Sequence, residues 1–408
     1  MKRTEFETPS AESAIFNIIR TGGPINRTDI VARTGFSKST ISLQIGRLIQ
    51  RGLIREEQPE DDGRPRRNLR LEIRSDAGYV AGVFLGIHKL CITLFNLGMD
   101  AIRESRFTLE SVIDPDETNR FIVEKIRDIL EAAGVHPEAL WGIGLGFPFP
   151  VDFEKGIPDS PPNLPLWHSF PLKSLYEEAF GCPVLIDNDV NVMALGEGFS
   201  GVAQDEKDFI FLKVGTGIGA GLFLDGRIYR GSKGCAGDIG HIALDGETKL
   251  CHCGNAGCLE TIAGAPAIAA KGFAAAMTEE SPLLAAVLKQ KNRITSEDVG
   301  DSAQRGDMFS IQIIQESGRH VGSVLAKLVN FSNPALVVIG GGVAGAGTIF
   351  LTAIRESILR RSTHLATIDL NVRFSELREQ SGPTGAGRLI LEEIFSSSRF
   401  AGTVEREL

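Results

Sequence analysis

The sequence predicts an α/β protein with a small helical head: an N-terminal winged helix-turn-helix module, then a large body in two α/β halves. Three observations carry this. Apolar residues recur at helical spacing in three short stretches before residue 51, followed by two short strand-like runs. From Tyr79 onward, apolar strand-like runs alternate with amphipathic helical patterns, and the plan repeats after Phe209. The net charge of -9 also divides unevenly. Residues 1–74 hold 14 basic and 10 acidic side chains, a net +4, and the remainder carries -13. A basic head on an acidic body fits a nucleic-acid-binding module attached to a domain that repels nucleic acid.

The 408 residues are 42% hydrophobic and 23% charged, as in an ordinary globular protein of two or three domains. No run of about 18 apolar residues is present, and MKRTEFETPS lacks an apolar signal core, so no membrane partner and a cytoplasmic location are expected.

In the head, Ala14, Ile15, Ile18 and Ile19 give the first helix an apolar face, Asp29 to Arg33 lie in the second, and Gly35-Phe36 makes the turn. Ser37 is the expected N-cap of a third helix, Lys38 to Gln50, whose Ile41, Ile45, Leu48 and Ile49 should face the core. Its other face presents Lys38, Ser39, Thr40, Ser42, Gln44 and Arg47, groups able to reach base edges and phosphates in a major groove. Leu53 to Arg55 and Asn68 to Ile73 should form a wing. The loop between them carries Arg64, Arg66 and Arg67, with Pro65 holding Arg64 extended for a narrow minor groove. A three-helix module with a polar face can also serve protein contacts. Helix spacing, wing and charge together favour operator DNA.

In the body, Val80 to Ile87, Leu90 to Leu97 and Ala101 to Thr108 read as strands. A helix follows, with Ile122, Ile126, Ile129, Leu130 and Ala133 on its buried face. Next come a strand at Leu140 to Leu145, a Pro-rich loop from Phe147 to Pro171, a helix near Leu172 to Phe180 and a strand at Pro183 to Ile186. The second half contributes strands at Phe209 to Val214, Ala220 to Leu224 and Ala335 to Ile339. Asp187-Asn188-Asp189 closes a buried strand, where α/β folds commonly meet ligand, although Asn or Asp there can equally cap a helix. Gly215-Thr216-Gly217-Ile218-Gly219 and Gly340-Gly341-Gly342 follow strands and could cradle phosphate; such turns are also frequent for steric reasons alone.

The most specific stretch is Gly237 to Glu260. His241 precedes Cys251 by ten residues, and Cys251, Cys253 and Cys258 follow as C-x-C-x4-C, with Gly254 and Gly257 letting the loop turn back. One imidazole and three thiols make a Cys3His set for tetrahedral zinc, closed to chemistry and therefore structural. A disulfide or chance clustering is the alternative.

Gly240-His241 followed by C-x-C-G-x-x-G-C-L-E resembles the signature of the ROK family, which groups sugar-responsive repressors with sugar kinases. The resemblance runs over nearly the whole chain. It implies a two-lobed, actin-like (ribonuclease H-like) ATPase-type fold behind a winged helix-turn-helix that the family's stand-alone kinases lack. The domains are then 1–75 for the head, 76–188 for the first lobe and 189–377 for the second, with a C-terminal helix at about 378–408 (core Gly385 to Phe395) returning to the first. It also implies a sugar site at Asn188, Asp189, Asp238, His241 and Glu260, with Asn163 as a weaker contact. The free ring nitrogen of a zinc-bound His241 would face the sugar.

Two departures bear on activity. Family kinases begin their first lobe with D-x-G-G-T, where this chain has Phe84-Leu85-Gly86-Ile87-His88; an aromatic ring cannot hold magnesium and a branched residue blocks phosphate. Where kinases usually have Glu-Gly-Gly-His, it has Asp238-Ile239-Gly240-His241, with a shorter carboxylate and the bulk of Ile239, which points to a sugar other than glucose or N-acetylglucosamine. The expected protein is a zinc-containing, sugar-responsive repressor without enzymatic activity. It should form a homodimer or dimer of dimers on a palindromic operator. The alternative is an ATP-dependent sugar kinase retaining a DNA-binding head.

Overall fold

The computed structural model describes residues 10–57, 69–159, 161 and 164–396. The expected contacts Asn163, Arg64, Arg66 and Arg67 lie outside the described residues.

The head comprises α1 (Ala11–Gly22), α2 (Arg27–Thr34), α3 (Lys38–Gln50), β1 (Ile54–Glu57) and β2 (Arg70–Ile73). Each helix starts at a side-chain cap: Ser10, Asn26 and Ser37 accept from the backbone N–H three residues on, at 3.2, 2.8 and 3.1 Å. Gly35, in the left-handed region at φ 70°, ends α2 and makes the predicted turn. β1 and β2 pair antiparallel from Ile54 opposite Ile73, forming the wing. Ile41, Ile45 and Leu48 are buried as expected. Ile49 is not: it is 38% exposed, because 100° of helical turn carries it past the stripe that Leu48 closes.

The body builds two five-stranded sheets on one plan. The first holds β3 (Tyr79–Leu85), β4 (Lys89–Asn96) and β5 (Ala101–Thr108), then α4 (Pro115–Ala132) and β6 (Leu140–Phe147). The Pro-rich loop contains a small hairpin, β7 (Val151–Asp152) with β8 (Ile157–Pro158), before α5 (Leu172–Phe180) and β9 (Val184–Asn188). The strand order is β5-β4-β3-β6-β9, antiparallel through β3–β4–β5 and parallel through β3–β6–β9.

Helix α6 (Asp189–Ser200) leads to the second sheet through β10 (Phe209–Val214), β11 (Ile218–Leu224) and β12 (Arg227–Ile228). A helical block follows: α7 (Leu259–Ala263), α8 (Ala265–Met277), α9 (Pro282–Lys291), α10 (Ser296–Gln304) and α11 (Met308–Ser332). β13 (Leu336–Gly340), α12 (Thr348–Arg361), α13 (His364–Thr367), β14 (Asn371–Phe374) and α14 (Ser381–Ile394) follow among the described residues. The order β12-β11-β10-β13-β14 repeats the first sheet, with the same two antiparallel and two parallel pairings.

Between the sheets, α6 and α14 lie in direct backbone contact. A Cβ on Gly385 would stand 1.6 Å from the Val192 carbonyl oxygen, and one on Gly196 would stand 2.2 Å from that of Ser381. α14 seats equally close on the first sheet, where a Cβ on Gly144 would meet the Ala386 oxygen at 1.8 Å. One apolar cluster joins this layer to both sheets and to the head. α1 lies against the end of α14: the Phe16 and Phe395 rings are 4.5 Å apart, and Ser13 Oγ and Asn17 Nδ2 both donate to the Phe395 carbonyl, at 3.3 and 2.9 Å. Arg20 pairs with Glu392 at 2.8 Å. Among the described residues no helix is long and apolar enough to cross a membrane.

Candidate functional site

The candidate ligand residues gather around the turn between β10 and β11. β9 ends at Asn188, whose Oδ1 caps α6 by accepting from the Val190 N–H at 2.9 Å, while its Nδ2 donates to the Phe149 carbonyl at 3.1 Å. Asn188 therefore serves as a helix cap here, with both ends of its amide engaged. Asp187 is also spent on structure. Its Oδ1 accepts from the Asn188 N–H and from Asn191 Nδ2, and its Oδ2 takes Arg230 Nε at 2.9 Å and the terminal guanidinium nitrogen at 2.7 Å. Arg230 in turn lies 3.8 Å over the Phe153 ring.

Asp189, the first residue of α6, is paired with Lys213 on β10. Val190 packs where a Cβ on Gly219 would meet it at 2.9 Å, so the start of α6 rests on β11. From the other side, Glu260 at the start of α7 accepts the Ile218 N–H at 3.0 Å through Oε2, and a Cβ on Gly217 would meet that same oxygen at 2.9 Å. Gly240 sits tightly on β11, since a Cβ there would stand 2.3 Å from the Ile218 oxygen. This contact brings Asp238 and His241 to the same turn. Asp238 has a half-exposed side chain, with Oδ1 3.9 Å from His241 Nε2. Ile239 turns the other way, into the second-lobe core, so its bulk is taken up by packing rather than set beside a ligand.

The other ring nitrogen of His241, Nδ1, lies 3.5 Å from Cys251 Sγ, and Cys253 Sγ lies 3.7 Å from Cys258 Sγ. The donor atoms of His241, Cys251, Cys253 and Cys258 all fall within 4.8 Å of one another. A tetrahedron with metal–sulfur bonds of about 2.3 Å has edges of about 3.8 Å, so the donors stand close to the corners a metal requires. The loop is shaped for this: Cys251 N–H donates to the Asn255 carbonyl at 2.8 Å, and Gly254 and Gly257 take φ of 92° and 75°. Burial, then contact with the neighbouring sulfurs, pushes the Cys258 thiol up to about 12. Three sulfurs this close need a cation among them to persist as thiolates.

His252, inside the C-x-C, was not singled out from the sequence. Its Nε2 is 3.6 Å from Glu260 Oε1 and its Nδ1 is 3.7 Å from Cys251 Sγ, so it joins the cysteine loop to the Glu260 carboxylate. A His between two ligand cysteines was a readable signal. Lys213 and Arg230 carried none, being single cations in strand-like or loop context.

Phe84 is buried, and a Cβ on Gly382 at the start of α14 would stand 2.1 Å from its ring. The two Gly-rich turns do adjoin: a Cβ on Gly215 would be 3.9 Å from the Gly342 nitrogen. In the head, Lys38, Ser39, Ser42 and Arg47 are exposed along α3 and Thr40 is half-buried, its Oγ1 2.8 Å from Ser37 Oγ. Gln44 turns inward, with a buried Oε1 that lacks a partner among the described residues. Leu43, at 56% exposed, stands on the polar face instead.

Comparison with known proteins matches this arrangement at both ends of the chain. The family model described as "ROK family" matches residues 80–393, and one described as "MarR family" matches residues 8–65. The xylose repressor of Caldicellulosiruptor bescii is 30% identical over 379 residues, covering 92% of this chain and 94% of the relative. A crystal structure described as a ROK family transcriptional regulator, homolog of the Escherichia coli MLC protein, superposes with a TM-score of 0.83 at 29% identity, covering 97% of this chain and 98% of that one. A ROK family glucokinase from Streptomyces griseus, solved with glucose and AMPPNP, covers 76% of this chain and 99% of its own at 27% identity and a TM-score of 0.66. With a family model spanning most of the chain and repressor relatives covering the head as well as the body, the chain belongs to the ROK family.

Proposed function

We propose that this protein is a sugar-responsive DNA-binding transcriptional regulator of the repressor type, and that its cleft serves sensing rather than phosphoryl transfer. The observation that carries the reading is the joining of a winged head to a sugar-kinase-like body through one shared core. Helix α6, which begins at Asn188-Asp189, packs on α14, and α14 holds α1 of the head. A ligand that draws the two lobes together around the β10–β11 turn would act on α6 and hence on the head. It can shift that equilibrium only by binding one arrangement more tightly than the other.

In this reading the lobes divide near residue 188, and α14 with the residues after it returns to the first lobe. The sugar meets Asp189, Asp238, His241 and Glu260, with Asn188 and Asn163 at the margin. A structural zinc held by His241, Cys251, Cys253 and Cys258 fixes the His241 ring so that Nε2 faces the ligand; four protein ligands leave it no open position. Lys38, Ser39, Thr40, Ser42, Gln44 and Arg47 contact the major groove, with Arg64, Arg66 and Arg67 at the minor groove. Gln44 would have to turn outward to do so. A cytoplasmic homodimer, or a dimer of dimers, on an inverted-repeat operator completes the picture.

The rival reading, a sugar kinase with a DNA-binding head, draws on the adjoining Gly-rich turns and on the glucokinase likeness; the buried Phe84 ring against Gly382 opposes it. The test starts with selection from random DNA by the purified zinc-replete protein, followed by operator affinity with and without D-xylose, D-glucose and N-acetyl-D-glucosamine. The reading expects an inverted repeat and a change in affinity with one sugar. Identical affinities with every sugar would sink it, and sugar-dependent ADP release from ATP would revive the kinase.

A further inference from the structure

The end of β9 and the start of α6 hold two buried aspartates that differ in what they have left to offer. Asp187 accepts four hydrogen bonds, two on each carboxylate oxygen. Asp189 accepts through Oδ2 from Lys213 Nζ, and among the described residues its Oδ1 takes no donor. Lys213 is the matching half. Along β10, Phe209 and Phe211 point into the core shared with α6, and the period of two places Lys213 next on that face, where the apolar contact ends. An ammonium carries three N–H groups, and among the described residues Asp189 is the acceptor of only one. The Lys213 side chain is 20% exposed and that of Asp189 only 4%, so of the two it is Lys213 that reaches solvent.

We infer that Lys213 is a ligand-binding residue of the sugar site: with Asp189 it forms an adjacent donor and acceptor that grip one ligand hydroxyl from both sides. A hydroxyl both donates and accepts, so it satisfies Asp189 Oδ1 and a Lys213 N–H at once, whereas a hydrogen at that carbon leaves both unpaired. The neighbouring strand residues support the placement, because Lys213 is in register with Gly219 and Gly340, neither of which has a side chain to lay over it. The pair would therefore select for a sugar bearing a hydroxyl at this point and reject its deoxy analogue. This inference rests on the sugar-sensor reading above.

The test is titration calorimetry of the full-length, zinc-replete protein with D-xylose, D-glucose and N-acetyl-D-glucosamine, then with the monodeoxy analogues of whichever binds. Lys213→Met is expected to weaken that sugar by about 10- to 100-fold, the loss of a charge-assisted hydrogen bond. One deoxy analogue should bind wild type much more weakly than its parent and bind Lys213→Met about as well as the parent does. Because Lys213→Met strands a buried carboxylate, Lys213→Met/Asp189→Asn is measured alongside; it removes both charges and should bind as weakly as the single variant. Wild-type affinity in Lys213→Met, whatever its melting temperature, would overturn the inference and reduce Lys213 to a structural counter-ion. Failure of wild type to bind any of the three sugars would remove the sensor reading and this inference with it.

Discussion

Replacing Phe395 by alanine should release the DNA-binding head from the body without unfolding either. The Phe395 ring is fully buried at the end of α14, 4.5 Å from the Phe16 ring, 6.2 Å from the Trp141 ring and beneath the Arg20 guanidinium at 5.6 Å. Truncating a buried phenylalanine costs about 3–5 kcal/mol. The polar contacts beside it involve the Phe395 carbonyl, which alanine keeps, and each is worth only about 1 kcal/mol. The ring therefore decides the docking. The head retains its own core of Ile15, Ile19, Ile30, Ile41, Ile45, Leu48 and Leu71. In wild type the head and first lobe should melt in one calorimetric transition; in Phe395→Ala a separate, lower-temperature head transition should appear. Amide exchange gives the magnitude, since 3–5 kcal/mol corresponds to about a 10²- to 10⁴-fold acceleration for amides protected by docking. If α1 amides exchange equally fast in both proteins, the head is not held by this contact and the coupling through α14 falls.

Three further outcomes follow from the same geometry. Purified protein should carry one zinc per chain by elemental analysis, and stripping it with a strong chelator or replacing Cys253 by serine should lower the melting temperature and abolish sugar binding; metal-free protein with unchanged stability would exclude a structural zinc. Gly385→Ala should cost several kcal/mol in denaturant unfolding, because the new methyl meets backbone oxygen at 1.6 Å and neither helix can yield without leaving a sheet; a loss under about 1 kcal/mol would mean that α6 and α14 are looser than described. Arg47→Ala should weaken operator binding at low salt and reduce the slope of log affinity against log salt by about 0.9, the signature of one lost phosphate contact; an unchanged slope would place Arg47 off the DNA.

What the sequence alone determined is what local physics controls. Strand runs, helix spacing and the caps at Ser37 and Gly35 place β5, β10, α3 and α5 at their observed boundaries, because hydrogen-bonding periodicity and capping act within a few residues. The Cys3His cluster was equally legible, since its spacing already confines four donors to one loop. Tertiary structure decided everything that depends on a distant partner. Helical periodicity in α1 says that a stripe is buried but not against what, so the fully buried Phe16 was passed over: its partner Phe395 lies at the other end of the chain. The same limit hid Lys213 on Asp189 and Arg230 on Asp187, pairs that form only when β10 and the loop after β12 fold against α6 and β9. It also hid what the start of α14 packs against, where Gly382, next to the first helical residue Ser381, makes room for the Phe84 ring. A residue's type and spacing report its own preference for water or a fold period, whereas its role in the cleft is set by which side chain the assembled lobes bring to it.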